Sequence, residues 1–243
     1  MKMKIIKALI LFCGICFSFE IYLSPRYTQW EEFDTDGRKL LEEKGWILAL
    51  GIRKEGKLFR GGAELYGGTL KYDGQTQAGT PVQTDSVYSG FSLYGGVGWY
   101  FGNSVLFSPK VLYTLEGWVR DIKSTATALG YREIWSYHTL DFEGEVVHKM
   151  KIMEMSMFAT LRLMLGDAVM KADLEGVPTL YPKRGPAYKL GCRFRKNRYG
   201  VEIAHSYVKF NRSDPQPTFI PGVYVLQPES VRRTMSLTFF LRF

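Results

Sequence analysis

The last ten residues alternate without a break: Met235, Leu237, Phe239, Leu241 and Phe243 form one series, and Thr234, Ser236, Thr238, Phe240 and Arg242 form the other. Successive side chains of an extended strand point to opposite faces. The pattern therefore describes a strand with one apolar wall and not a helix, whose apolar stripe recurs every three to four residues. The same alternation recurs along the chain in stretches of roughly ten to fourteen residues, and helical periodicity is nearly absent after residue 20. Working back from the last stretch, the others span 199–212, 187–196, 153–165, 134–147, 105–121, 86–101, 58–71, 46–54 and 21–32, which makes ten strands in all.

The connections sort by length. Residues 55–57, 102–104, those around 148–150, and 197–198 are short, and they alternate with the longer stretches 33–45, 72–85, 122–133, 166–186 and 213–231, which are richer in Gly, Pro, Asp, Ser and charge. Four short turns and five long loops are what an even-stranded, antiparallel up-and-down transmembrane β-barrel requires when both termini lie on the periplasmic side. The expected fold is all-β with about ten strands, or eight or twelve if one is split or merged. Composition agrees. Mean hydropathy is −0.12, and after the N-terminal segment there is no run of about 20 apolar residues, which excludes a multi-span helical membrane protein. The 16 Phe, 15 Tyr and 5 Trp suit a barrel that carries aromatic girdles at both membrane interfaces.

At the N-terminus, Lys2, Lys4 and Lys7 precede an apolar stretch, Ala8 to Phe17, and Ser18 follows. This reads as a secretory signal peptide over residues 1–18, leaving a barrel domain over 19–243. Cys13-Gly14-Ile15-Cys16 matches a thiol-redox spacing but falls in the segment to be removed, and the residues before Cys16 lack the series of a lipoprotein acylation site. Cys192 then stands alone, so no intrachain disulfide can form. The formal charge of +8 drops by the three lost lysines to 8 − 3 = +5. No dense Lys/Arg run accompanies it, and nucleic acid is not an expected partner.

Parity assigns the faces. Met153, Met155, Met157, Ala159, Leu161, Leu163 and Leu165 are placed toward lipid, with Glu154, Ser156, Phe158, Thr160 and Arg162 toward the lumen. Tyr188, Leu190, Cys192 and Phe194 face out, and Lys189, Arg193 and Arg195 face in. Lys110, Glu116, Arg120, Asp141, Glu143 and Glu145 also turn inward, joined by Arg26, Arg60, Glu64 and Glu202. A Lys or Arg on the lipid face costs about 2 to 4 kcal/mol at the midplane, so the charges belong inside. The expected lumen is a mixed-sign lattice, either self-neutralising and occluding or lining a narrow polar conduit. The glycines of Tyr94-Gly95-Gly96-Val97-Gly98-Trp99-Tyr100 lack the helix that a nucleotide-binding turn would need and read as small residues in a curved strand.

Catalytic chemistry finds little footing. A serine hydrolase needs Ser, His and an acidic orienter on one face, yet His205 and Ser206 point to opposite faces, as do His138 and Asp141, and His148 sits at a periplasmic turn. No His/Cys cluster or Asp-rich calcium loop is present, so no catalytic residue, metal ligand or cofactor is assigned.

Two blocks carry a resemblance. Trp30-Glu31-Glu32-Phe33 is followed by the stretch Gly37 to Gly45, and Trp118-Val119-Arg120-Asp121-Ile122 by Gly130-Tyr131-Arg132-Glu133-Ile134-Trp135. They are similar to a family of uncharacterised bacterial outer-membrane β-barrel proteins. The alternating last strand ending on Phe243 resembles the closing strand of such barrels and the signal their insertion machinery reads. The resemblance implies the outer membrane of a Gram-negative-type bacterium as location and membrane lipid and the barrel-insertion machinery as partners. It brings no established activity to carry over. In the second block Trp118 and Arg120 share the inward face, as do Glu133 and Trp135, so Arg120 and Glu133 are placed to pair across a hairpin at the outer rim with aromatics stacked around them. Residues 38–44 are compatible with a short helical cap over the mouth. The leading expectation is a monomeric barrel acting structurally or through its loops; a narrow passive pore, an outer-membrane protease or lipid hydrolase, and a soluble ligand-binding barrel are the alternatives.

Overall fold

The computed structural model describes residues 19–56, 58–75 and 79–243; the expected signal segment 1–18, with Cys13 and Cys16, lies outside them. Ten long strands form the wall: β1 (Phe19–Phe33), β2 (Lys39–Glu55), β3 (Phe59–Gln75), β4 (Pro81–Gly98), β5 (Val105–Ile122), β6 (Tyr131–Lys149), β7 (Glu154–Met164), β8 (Lys183–Lys196), β9 (Tyr199–Asn211) and β10 (Glu229–Arg242). Each pairs antiparallel with its chain neighbours. The sheet closes through β1 and β10 from Glu20↔Arg242 to Phe33↔Glu229. Closure leaves no unpaired edge, as a polar backbone in hydrocarbon requires.

The outward series builds a continuous apolar belt. Trp46, Leu48, Leu50 and Ile52 on β2, Leu65 on β3, Met157 and Leu161 on β7, Ile203 on β9 and Met235, Leu237 and Phe239 on β10 are all exposed. Aromatic rings bound the belt. Tyr27 with Trp46 and Tyr188 with Tyr207 lie on the outer side, while Phe59, Phe101, Tyr199 and the stacked pair Phe19 and Phe243 lie on the inner side. Cys192 is a half-buried free thiol in the β8 wall.

The first six long strands run 15 to 19 residues, against the about 9 to 11 that cross a bilayer. The surplus lies on the outer side, where the wall stands clear of lipid. Several outer loops are accordingly shorter than their sequence suggests, and the expected helical cap over 38–44 is absent. Residues 39–44 are strand, with Trp30↔Glu43 across to β1 and Glu43↔Tyr72 across to β3. The hairpin turns within Asp34-Thr35-Asp36-Gly37, where Asp34 Oδ1 accepts the backbone N–H groups of Asp36 and Arg38 at 2.9 Å each and Gly37 supplies φ +76°. Leu-Leu-Glu-Glu favours helix in isolation, but propensity differences of at most about 0.7 kcal/mol per residue yield to two flanking strand ladders. The loop 165–182 likewise adds a short strand, Val169–Ala172, to the outer end of β6.

Candidate functional site

The lumen is where the inward parity series of all ten strands meet, and it divides into two halves of different chemistry. The outer half is an aromatic plug. Trp118 and Trp135 lie directly opposite in the β5–β6 register and stack with ring centroids 5.3 Å apart at 8°. Trp30 from β1 meets Trp135 edge-on at 5.2 Å, and Phe210 from β9 packs against all three tryptophans and Tyr137. Trp30, Trp135 and Phe210 are at most 1% exposed.

The Arg120 guanidinium sits beside these rings. Arg120, with no exposed surface, donates to Glu43 Oε1 through Nε (3.0 Å) and Nη2 (2.8 Å), and through Nη1 to Glu32 Oε1 (2.9 Å) and Glu133 Oε2 (2.8 Å). The surrounding groups complete the carboxylates: Trp30 Nε1 donates to Glu32 and Trp135 Nε1 to Glu133, each at 2.9 Å, while Ser86 (2.7 Å) and Tyr88 donate to Glu43. Arg120 lies 5.6 Å over the Trp30 ring. Buried charge is tolerated only when paired and hydrogen-bonded, and here every Arg120 nitrogen is engaged.

Below the plug the lumen is a lattice of alternating charge. Glu116 accepts from Arg232 (2.5 Å), Tyr137 (2.6 Å) and Tyr66 (3.2 Å), and Arg232 also covers the Trp118 ring at 4.7 Å. Arg162 pairs with Asp141 at 3.3 Å, and Arg26 with Glu64. Toward the periplasm Lys110 bridges Glu143 and Glu145 at 2.7 Å each. Arg53 joins Glu20 (2.6 Å) to Glu202 (2.9 Å), Arg193 reaches Glu202 at 2.9 Å, and Arg195 reaches Glu154 at 2.7 Å. Within this lattice lies a cavity of about 220 Å³, and at the periplasmic mouth a vestibule of about 590 Å³ whose walls include Trp99, Tyr100 and Phe101.

All ten lumen and rim residues singled out in the sequence point inward. Trp118, Arg120, Glu133 and Trp135 meet in the plug, while Lys110, Glu116, Asp141, Glu143, Arg162 and Arg193 belong to the lattice. Phe243 stacks on Phe19 at 5.1 Å, and its backbone N–H donates to the Phe19 carbonyl at 2.9 Å. Sequence reasoning missed Trp30, Glu32, Glu43, Tyr137 and Phe210 as plug residues. Glu43 had a usable signal, since extending the parity of outward Trp46 back by three residues turns it inward. The three histidines lie on the outer wall: His138 bonds to Tyr113, His205 lies beside Tyr188, and His148 is exposed at the periplasmic end of β6.

A closed ten-stranded wall, an apolar belt between aromatic girdles and a charged interior together define an integral outer-membrane β-barrel protein. No family model and no curated protein matches the sequence. Among solved structures, the outer membrane protease OmpT from Escherichia coli aligns over 93% of this chain and 96% of its own, at 10% identity and TM-score 0.54. The translocator domain of the autotransporter NalP from Neisseria meningitidis aligns over 100% and 95%, at 11% identity and TM-score 0.46. The first of these similarities is one of fold.

Proposed function

We propose that this barrel is a non-conducting, monomeric outer-membrane scaffold that acts through its extracellular loops. One observation carries the reading: the outer half of the lumen is filled by buried rings around a fully paired Arg120, which stand between the charged lattice and the outside. The loops above it present apolar side chains to solvent, with Leu129 89% exposed, Phe219 71% and Tyr224 64%. Phe219, Ile220, Val223 and Tyr224 lie within six residues of one loop and are all exposed, and a contiguous exposed apolar patch of that kind marks a contact site for another molecule. The hydrolase alternative gains no support, because the three histidines project from the outer wall rather than toward the lumen or the loops. Phe243, at the end of the closing strand, is proposed as the residue read by the insertion machinery.

Planar-bilayer recording tests the reading. The intact protein is expected to be electrically silent, and the double variant Trp118→Ala, Trp135→Ala to conduct, since it removes the stacked pair at the plug's centre. Reproducible ohmic conductance from the unaltered barrel would overturn the proposal in favour of a narrow pore.

A further inference from the structure

The periplasmic half of the lumen contains two arginines whose hydrogen-bonding capacity is not fully used. In the β2–β3 register Arg53 lies opposite Gly62 and Glu55 opposite Arg60, so the two arginines are diagonal neighbours on one face, about 7 to 8 Å apart at the backbone. The Arg60 side chain is 1% exposed. Its Nε lies 3.3 Å from Glu55 Oε2 as an ion pair, yet none of its three nitrogens, Nε, Nη1 or Nη2, has a hydrogen-bond partner among the described residues. Arg53 spends Nε on Glu20 and Nη1 on Glu202 and leaves Nη2 unpartnered. Both side chains line the cavity of about 220 Å³. The Tyr100 ring, 4.8 Å from the Arg60 guanidinium, supplies a flat backing on the vestibule side.

Buried donors on a charged group are costly to leave unmade, and a native orphan of this kind points to an occupant. The chemistry of the occupant follows from which edge is free. The Glu55 carboxylate stands on the Nε side of Arg60 at ion-pair distance without a hydrogen bond, and the far end presents two parallel N–H donors, the fork that matches an oxyanion bidentately. We propose that this end of the lumen is a binding site for a small oxyanion, a phosphate or a short carboxylate, held by Arg60 Nη1 and Nη2 with a further bond from Arg53 Nη2. Entry is from the periplasm through the aromatic-lipped vestibule, because the plug closes the other route. The nearby carboxylates of Glu55, Glu20 and Glu202 restrict the occupant to one small enough to touch only the free edges. The site stands whether or not the loops bind a partner.

The test is calorimetric titration of the full chain in detergent micelles with inorganic phosphate and, separately, with acetate, at ionic strength held constant with sodium chloride. Saturable one-to-one binding of either anion is expected, weakened at least tenfold by Arg60→Gln, less by Arg60→Lys, and unchanged by Arg184→Gln on the outer rim. Absence of saturable heat with both anions, meaning a cavity holding water only, overturns the proposal, as does an Arg60→Gln protein that binds as the parent does. Should Arg60→Gln fail to fold, Tyr100→Ala decides: a loss of affinity of about threefold or more supports the site, and unchanged affinity overturns it.

Discussion

Replacing Arg120 with Met keeps most of the side-chain volume and removes the only cation bonded, among the described residues, to Glu32, Glu43 and Glu133. With the three carboxylates ionised, the formal charge of the group goes from 1 − 3 = −2 to −3. Four hydrogen bonds are lost at once, two to Glu43 and one each to Glu32 and Glu133. The donors that remain are neutral: Trp30 for Glu32, Trp135 for Glu133, and Ser86 with Tyr88 for Glu43. At about 1.5 to 3 kcal/mol per bond to a charged group, simple addition would give roughly 6 to 12 kcal/mol, an upper bound because such bonds are not additive. Removing one partner of a buried ion pair typically costs about 3 to 5 kcal/mol, and that is the expected loss here. It corresponds to about two to four orders of magnitude in the folding equilibrium. Urea unfolding in lipid vesicles followed by tryptophan fluorescence suits the measurement, since three of the five tryptophans, Trp30, Trp118 and Trp135, line the plug. Glu133→Gln is the control. It leaves Arg120 paired to Glu43 and Glu32 and relieves one negative charge, so its cost should stay within about 1 kcal/mol. An Arg120→Met barrel within about 1 kcal/mol of the parent, at an unchanged denaturant slope, would refute the view that this guanidinium neutralises the plug.

Two further expectations concern the wall. Leu50→Arg sets a charge on the lipid face of β2, where Leu50 is 59% exposed, and should cost about 2 to 4 kcal/mol in vesicle refolding, whereas Leu129→Arg in an outer loop should refold like the parent. Gly51 makes room for the inward Tyr22 ring, which an added Cβ would overlap; Gly51→Leu should cost at least about 1 to 3 kcal/mol in urea unfolding, and a neutral effect would mean the ring moves freely.

Much of the wall can be derived from the sequence because lipid imposes a stringent local rule: each residue faces hydrocarbon or it does not, and a single period encodes the choice. Leu161 and Arg162 are assigned to opposite sides by parity alone, and Arg120 falls opposite Glu133 once the intervening loop is centred. Residues 38–44 show where that reasoning stops. Their composition favours helix, and what holds them extended is pairing with β1 and, from Glu42 onward, with β3 as well, which belongs to the sheet and not to the segment. The same error hid Glu43, the carboxylate that takes two of the four Arg120 bonds.

The sequence by itself determined the strand period, the sorting of charges to the inside and the alternation of short and long connections, since these depend on residues adjacent along the chain. Only the tertiary structure decided what the interior does. Trp30, Trp118, Trp135 and Phe210 come from β1, β5, β6 and β9 and meet because the barrel closes at a particular register. The unused nitrogens of Arg53 and Arg60 likewise depend on which carboxylates that closure brings within reach. Occlusion of the outer lumen and the open oxyanion fork below it are properties of closure, which no single strand encodes.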